Sequence, residues 1–156
     1  MGFIIERVAL VMAEATAMEL PMLVAALADA GLPVLDVGQP DQRFYCFRDQ
    51  SGELIGFSGL EVRGADALLR SVLVLPSRRE RGLGRAIVGS TLDRAWTLGV
   101  RQIFLLTTDA QHFFAGLGFV TIPRSGAPGQ IAGTAEFKNL CPGTAICMMK
   151  AAALPP

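Results

Sequence analysis

The spacing of hydrophobic positions changes several times along the chain, and each change marks an expected element. Arg7 to Ala13 alternates loosely and is rich in β-formers, which predicts a first strand. Thr16 and Glu19 then have capping-box spacing, and Pro21 suits a first helical turn. A helix is therefore expected at about 18–30, with Leu20, Leu23, Val24 and Leu27 on its apolar face and Gly31 as its stop. After an irregular stretch from Val34 to Gln42, Arg43–Arg48 and Leu54–Val62 read as a hairpin across Asp49-Gln50-Ser51-Gly52. Gly56 and Gly59 inside its second arm leave room for close approach of another backbone or a ligand. Gly64-Ala65-Asp66 turns the chain into Ala67–Leu75, completing a three-strand meander.

From Gly82 the period becomes helical, with Leu83, Ile87, Thr91, Ala95 and Leu98 on one face and Gly99 as terminator. Gln102–Thr107 reads as a buried strand, Ala110–Leu117 as a short helix stopped by Gly118, and Phe119–Pro123 as a strand. Ala127–Leu140, with Pro128 near its start, is expected to be a helix, and Thr144–Lys150 the last strand. A meander running into a strand–helix–strand crossover implies an α/β (α+β) domain, with a mixed, mostly antiparallel sheet of about six to seven strands flanked by helices. One domain is expected over 1–150, with 151–156 as a frayed tail.

Composition narrows the function classes. Hydrophobic residues make up 51% and charged residues 18%, which excludes a disordered chain. Net charge is zero, so no global field recruits nucleic acid or a membrane surface, and no apolar run approaches membrane-spanning length. Cys46, Cys141 and Cys147 form no CxxC pair and His112 is the lone histidine, so no metal is expected. The odd cysteine count, without a basic and apolar leader, fits a reducing, cytoplasmic setting. Charge is instead local: of 12 arginines, Arg78, Arg79, Arg81 and Arg85 cluster beside Gly82 and Gly84.

A strand feeding a glycine-rich loop at a helix N-terminus aims unpaired backbone N–H groups at one point, which suits phosphate oxygens. A P-loop is excluded because no lysine precedes Lys138. A dinucleotide fingerprint is disfavoured because Ile87 stands where its third glycine would fall. What remains is Arg79-x-x-Gly82-x-Gly84 after a strand ending in Val74-Leu75-Pro76.

This arrangement resembles the GCN5-related N-acetyltransferase (GNAT) superfamily, whose acetyl-CoA loop reads Gln/Arg-x-x-Gly-x-Gly/Ala. Phe113-Phe114-Ala115-Gly116-Leu117-Gly118-Phe119 is similar to that family's downstream helix and Gly-Phe strand. Within it, Leu68-Leu69-Arg70-Ser71, Thr107-Thr108, Phe113-Phe114, and Thr134-Ala135-Glu136-Phe137 before Leu140-Cys141-Pro142 resemble the arsenic-resistance N-acetyltransferase subfamily ArsN2.

The resemblance implies acetyl-CoA as cosubstrate, a small-molecule amine as acceptor, and a role in arsenic detoxification, with an arsenic-containing amino acid as one acceptor. It implies that Val72, Leu73 and Val74 present backbone to pantetheine and the thioester oxygen. Amides from Arg79 through Glu80, Arg81, Gly82, Leu83 and Gly84 would hold the pyrophosphate, with Arg78, Arg79 or Arg85 adding charge. Thr107 and Thr108 would bond pantetheine or the thiol. Many members carry a tyrosine acid where this chain has Phe114, so that role does not transfer. Tyr45 is the only tyrosine, and water could protonate the thiolate.

For the acceptor side, Glu61 near the end of its strand is the first choice of base, provided it faces the cleft; otherwise it is a solvated rim charge. Arg70 could hold a substrate carboxylate bidentately, with Ser71 hydrogen-bonding nearby. His112 reads more readily as a surface residue. Thr134, Glu136 and Phe137 lie on a late insertion that could close over substrate or build a homodimer face. Two other functions compete: a trivalent-arsenic binder using the three cysteines, and an acyl-CoA-binding sensor without turnover.

Overall fold

In the computed structural model, residues 9–79 and 82–153 are described. Seven strands form one sheet: β1 Val11–Glu14, β2 Gln42–Arg48, β3 Leu54–Arg63, β4 Asp66–Val74, β5 Gln102–Thr107, β6 Val120–Ile122 and β7 Ile146–Ala151, in the order β1-β2-β3-β4-β5-β7-β6. Among the described residues only β4 and β5 pair in parallel; the other five pairings are antiparallel. The expected mixed, mostly antiparallel sheet is therefore present. The strand expected to start at Arg7 begins, among the described residues, at Val11.

Helices cover both faces. On one, α2 (Leu83–Thr97) and the short α3 (Gln111–Ala115) pack Leu83, Ile87, Val88, Leu92, Ala95 and Phe114 onto Tyr45, Phe47, Leu60, Leu69, Ile103 and Leu105. Burying each such Leu or Ile contributes about 1.5–3 kcal/mol, so this face carries much of the stability. Leu98, expected on the same apolar face, is instead exposed, because the helix has ended and Gly99 (φ 92°) turns the chain away. On the opposite face, α1 (Leu20–Asp29) sets Leu23 and Leu27 against Phe44, Cys46, Phe57 and Leu73. Farther along, Ile131 and Phe137 cover Leu68, Phe104 and Cys147.

The segment expected as one helix over Ala127–Leu140 is not one. It comprises a four-residue helix, α4 (Gly129–Ala132), and a separate π-helical turn, Glu136–Leu140. Gly129 and Gly133 are poor helix formers, and the Thr134 hydroxyl donates to the Ile131 carbonyl at 2.7 Å, bonding the backbone locally where a helix would continue. The break matters because it turns Glu136 inward, to 6% exposure.

Two irregularities in β4 shape the middle of the sheet. Phe57 pairs with Leu73 but Gly59 pairs with Arg70, so Ser71 and Val72 together oppose Ser58 in a β-bulge. Ser71 takes φ 58°, a left-handed conformation costing a non-glycine residue on the order of 1–2 kcal/mol. The extra residue inverts side-chain alternation: Leu69 faces α2 before the bulge, as do Val72 and Val74 after it, whereas Leu73 faces α1. Second, β4 pairs with β5 only from Asp66 to Leu68, after which β5 continues against β7. The two strands splay, leaving the Leu69–Val74 edge of β4 without a β5 partner among the described residues.

Candidate active site

The splay opens two adjoining cavities. The first, of about 300 Å³, lies between Leu69–Val72 of β4 and Leu105–Asp109 of β5, and is closed by Glu136 and the Leu140–Pro142 segment. The second, of about 340 Å³, runs along Val72, Leu73 and Val74 to Arg79 and Gly84, with Phe113 and Phe114 on its far side. Val72, Ala110 and Phe114 line both, so the two spaces meet there.

The second cavity ends on the N-terminus of α2. Gly82 caps that helix with φ 86°, a conformation glycine adopts without strain, and no side chain among the described residues caps it. The first intrahelical bond is donated by Ala86 to the Gly82 carbonyl at 3.0 Å, which leaves the Leu83, Gly84 and Arg85 N–H groups for an anion. A β-carbon on Gly84 would lie 3.4 Å from the Phe113 ring, so a larger side chain would narrow the groove. Leu83 is wholly buried in the core, so only its backbone can contribute. Arg79 and Arg85 are exposed beside the loop. Arg78 is engaged elsewhere, its Nη1 lying 2.9 Å from Asp49 Oδ2. Hydrogen bonds from Ser51 and then Arg78 hold the Asp49 carboxyl down at about 2. Glu80 and Arg81 lie outside the described residues.

Of the threonine pair, Thr107 is buried and its Oγ1 accepts the Ala110 N–H at 2.9 Å, tying down the turn into α3. Thr108 lines the first cavity and is exposed. The Phe114 ring stands edge-on to Phe113 and Phe119, at centroid separations of 5.0 and 5.6 Å, where the two cavities meet. The other acid and base candidates lie elsewhere. Tyr45 is wholly buried under α2 with the Arg94 guanidinium 5.4 Å from its ring centroid, and His112 is exposed on α3.

The acceptor-side residues are arranged differently from the sequence expectation. Arg70 does not present a free fork to a substrate carboxylate. Its side chain is fully buried, and Nη1 and Nη2 donate to the two Asp36 oxygens at 2.5 and 2.7 Å. Nη1 also reaches Glu61 Oε1 at 3.2 Å, and Nε donates to Ser71 Oγ at 3.2 Å. Burial works against the guanidinium charge, but the Asp36 bonds and the Glu136, Asp36 and Glu61 charges outweigh it and raise its pKa. Glu61, expected as a base facing the cleft, is 2% exposed and accepts from Arg63 Nη2 at 3.0 Å, Arg70 and Gln42 Nε2 at 3.3 Å. It lines neither cavity, and its oxygens are committed to cations. Ser71, by contrast, lines the first cavity and supports Arg70.

Glycine makes this cluster possible. A β-carbon at Gly59 would lie 2.9 Å from the Phe44 ring and 3.2 Å from Arg70 Cγ, so only glycine admits the guanidinium, which sits 5.6 Å from the Phe44 centroid. At Gly56 a β-carbon would run into the Leu73 carbonyl oxygen and approach Ile87 Cδ1 to 2.9 Å. Asp36 and Gln42 escaped the sequence reading because they sit in the irregular stretch after α1. The one available signal was a lone carboxylate inside Val34-Leu35-Asp36-Val37.

The three cysteines do not form one site. Cys46 on β2 and Cys147 on β7 are four strand spacings apart in the sheet order, roughly 19 Å at ~4.8 Å each. Cys141 stands at the wall of the first cavity with its thiol pushed up to about 12, by burial and then by Glu136. Among the described residues no group of three or more His, Cys, Asp or Glu side chains could hold a metal ion. No helix among them is long and apolar enough to cross a membrane.

Comparisons with known proteins place this architecture. Residues 40–121 match the model of the acetyltransferase (GNAT) domain, a span from β2 into β6 that includes every residue lining the second cavity. An amino-acid acetyltransferase from Mycobacterium tuberculosis is 31% identical over 102 residues, covering 59% of this chain and 58% of that protein. N-acetylglutamate synthase from Neisseria gonorrhoeae, solved with coenzyme A and N-acetyl-glutamate, superposes with a TM-score of 0.75 at 17% identity, over 94% of this chain but 36% of that one. A spermidine N-acetyltransferase from Vibrio cholerae superposes with a TM-score of 0.69 at 15% identity, covering 91% of this chain and 93% of that one. The chain thus spans little more than half of its curated relative. With a family model covering more than half the chain, and the splayed β4–β5 pair ending on a glycine-capped helix, the chain belongs to the GNAT acetyltransferase family.

Proposed function

We propose that this chain is an acetyl-CoA-dependent N-acetyltransferase that passes the acetyl group directly to the amine of a small molecule. The observation that carries the reading is the continuity of the two cavities past Val72 and Phe114, which gives cofactor and acceptor separate approaches to one point. In this reading the pyrophosphate rests on the Gly82–Arg85 turn, with Arg79 and Arg85 beside it, and pantetheine lies along Val72–Val74. Backbone N–H groups freed by the β4 bulge face the thioester oxygen and stabilise the charge that develops there. The amine approaches through the first cavity, attacks the thioester carbon, and the carbon–sulfur bond breaks to release coenzyme A. The Phe114 ring has no proton to give, so the departing thiolate takes its proton from water.

The relatives named for amino acids and spermidine support an acceptor with a primary amine. The residues shared with the ArsN2 pattern support an arsenic-containing amino acid in arsenic resistance, and Arg70, Ser71, Glu136, Leu140, Cys141 and Pro142 of that pattern line the first cavity. The test is acetyl-CoA binding by thermal shift, followed by release of free thiol with a panel of amines that includes arsenic-containing amino acids. No stabilisation by acetyl-CoA would refute the acetyltransferase reading. Turnover of ordinary amines but none of the arsenicals would refute the arsenic role alone.

A further inference from the structure

Three acidic residues and one arginine meet behind the acceptor cavity, and their hydrogen bonds are unequally shared. Asp36, in the loop after α1, takes both guanidinium Nη groups of Arg70 and a bond from Gln42 at 3.2 Å. Glu61, on β3, is held by Arg63, Arg70 and Gln42. Arg63 is shared further with Asp41. Glu136 receives least. Its Oε1 is approached by the Cys141 thiol at 3.4 Å; its Oε2 lies 3.1 Å from Arg70 Nε, but the single Nε hydrogen is directed to Ser71 Oγ. Glu136 Oε2 is therefore a buried acceptor without a hydrogen bond, on a residue 6% exposed that lines the acceptor cavity.

Charge counting gives the same result. Asp36, Asp41, Glu61 and Glu136 face two guanidiniums, those of Arg63 and Arg70, and of the three carboxylates around Arg70 only Glu136 receives no guanidinium hydrogen bond. Burial first, with Asp36 and Glu61 also contributing, raises its pKa above the ordinary carboxylate range, while Arg70 and the Cys141 bond pull the other way. A buried acceptor without a hydrogen bond, on a residue that lines a cavity adjoining the second groove, suits a cation carrying N–H donors.

We infer that Glu136 is the proton acceptor of the transfer reaction, and that the first cavity takes its acceptor as a protonated primary amine whose ammonium is received by Glu136. The inference rests on the acetyltransferase reading above. The ammonium gives one proton to Glu136, and the nitrogen lone pair so freed forms the bond to the thioester carbon. When the carbon–sulfur bond breaks, the second nitrogen proton leaves and one proton ends on the coenzyme A sulfur. Glu136 returns its proton to solvent through the cavity. Arg70 and Glu61 are positioning residues: Arg70 is held by Asp36 and Glu61 and so keeps its Nε hydrogen on Ser71, away from Glu136.

The experiment compares wild type with Glu136→Gln and Glu136→Asp. Acetyl-CoA affinity and melting temperature are measured on the same samples as the pH dependence of kcat/KM for the best amine of a primary-amine panel. The expected result is acetyl-CoA affinity within about twofold of wild type for both variants, and loss of about 100-fold or more in kcat for Glu136→Gln, the usual range for a missing acid–base group. The acidic limb of the profile, set in wild type above the ordinary carboxylate range, should disappear in Glu136→Gln and return in Glu136→Asp. Glu136→Gln with kcat within threefold of wild type and an unchanged limb would overturn the inference. If wild type turns over no amine, the acetyltransferase reading fails and the proton-acceptor role with it, and the ammonium site is decided by titrating the protein with butylammonium. Binding lost in Glu136→Gln supports the ammonium site, and equal binding by both proteins overturns it.

Discussion

Replacing Arg70 by Met tests the buried cluster that organises the acceptor side. The substitution keeps much of the aliphatic volume beside Phe44 but removes the guanidinium that touches Asp36, Glu61 and Glu136 together. All three carboxylates are largely buried, with side chains 11%, 2% and 8% exposed. Removing one partner of a buried ion pair costs about 3–5 kcal/mol, because the other charge is left uncompensated. For a domain of this size each kcal/mol corresponds to about 2–4 °C in Tm, so the variant should melt about 6–20 °C lower at pH 8. The loss should shrink on acidification, because Glu136, whose carboxyl pKa burial raises above its ordinary value, takes up a proton there and no longer needs the cation. Differential scanning calorimetry across pH 4–8 is the assay. A Tm within 2 °C of wild type at pH 8, or a difference that does not narrow on acidification, would refute the reasoning.

Other predictions follow from single contacts. Glu136→Gln should raise Tm at pH 8 and leave it nearly unchanged near pH 4. A carboxyl whose folded-state pKa is raised binds its proton more tightly when folded, so the ionised form costs stability above that pKa and nothing below the unfolded value; a melting series in pH checks the sign. Gly59→Ala should displace Phe44 or Arg70 and cost about 1–3 kcal/mol, read by urea denaturation. Thr91→Val should cost about 1–3 kcal/mol, because Ser58 Oγ, now 2.7 Å from Thr91 Oγ1, would lose its buried partner. Burial raises the pKa of all three thiols, so iodoacetamide should modify native Cys46, Cys141 and Cys147 at least about tenfold more slowly than the unfolded chain at pH 8, as peptide mass spectrometry would show.

Much of the fold was legible because its signals are local. The Asp49–Gly52 turn, the Gly82 start and Gly99 stop of α2, and the Gly118 turn each depend on a few adjacent residues. In Ala127–Leu140 the length of the segment suggests a helix, but Pro128, Gly129 and Gly133 are local signals against its continuity, and the structure follows them. The acceptor side was less legible for a different reason. Asp36, Glu61, Arg70 and Glu136 come from four separate segments and share no spacing, and only the pairing of β3 with β4 and the break before Glu136 bring them together. Glu61 and Arg70 were recognised as functional candidates by residue type. Their saturation by each other and by Asp36 requires knowledge of contacts that no pattern in the chain encodes. The bulge at Ser71 is similarly hidden, since serine carries no mark of a positive φ.

The proposed function requires that the groove from Val72 to the α2 N-terminus hold acetyl-CoA. Its most direct test is titration of the isotopically labelled protein with acetyl-CoA, followed by backbone amide shifts. Saturable shifts concentrated on Val72, Leu73, Val74, Gly82, Leu83, Gly84 and Arg85 are expected. Saturable binding with these amides unmoved, or no binding at all, would contradict it.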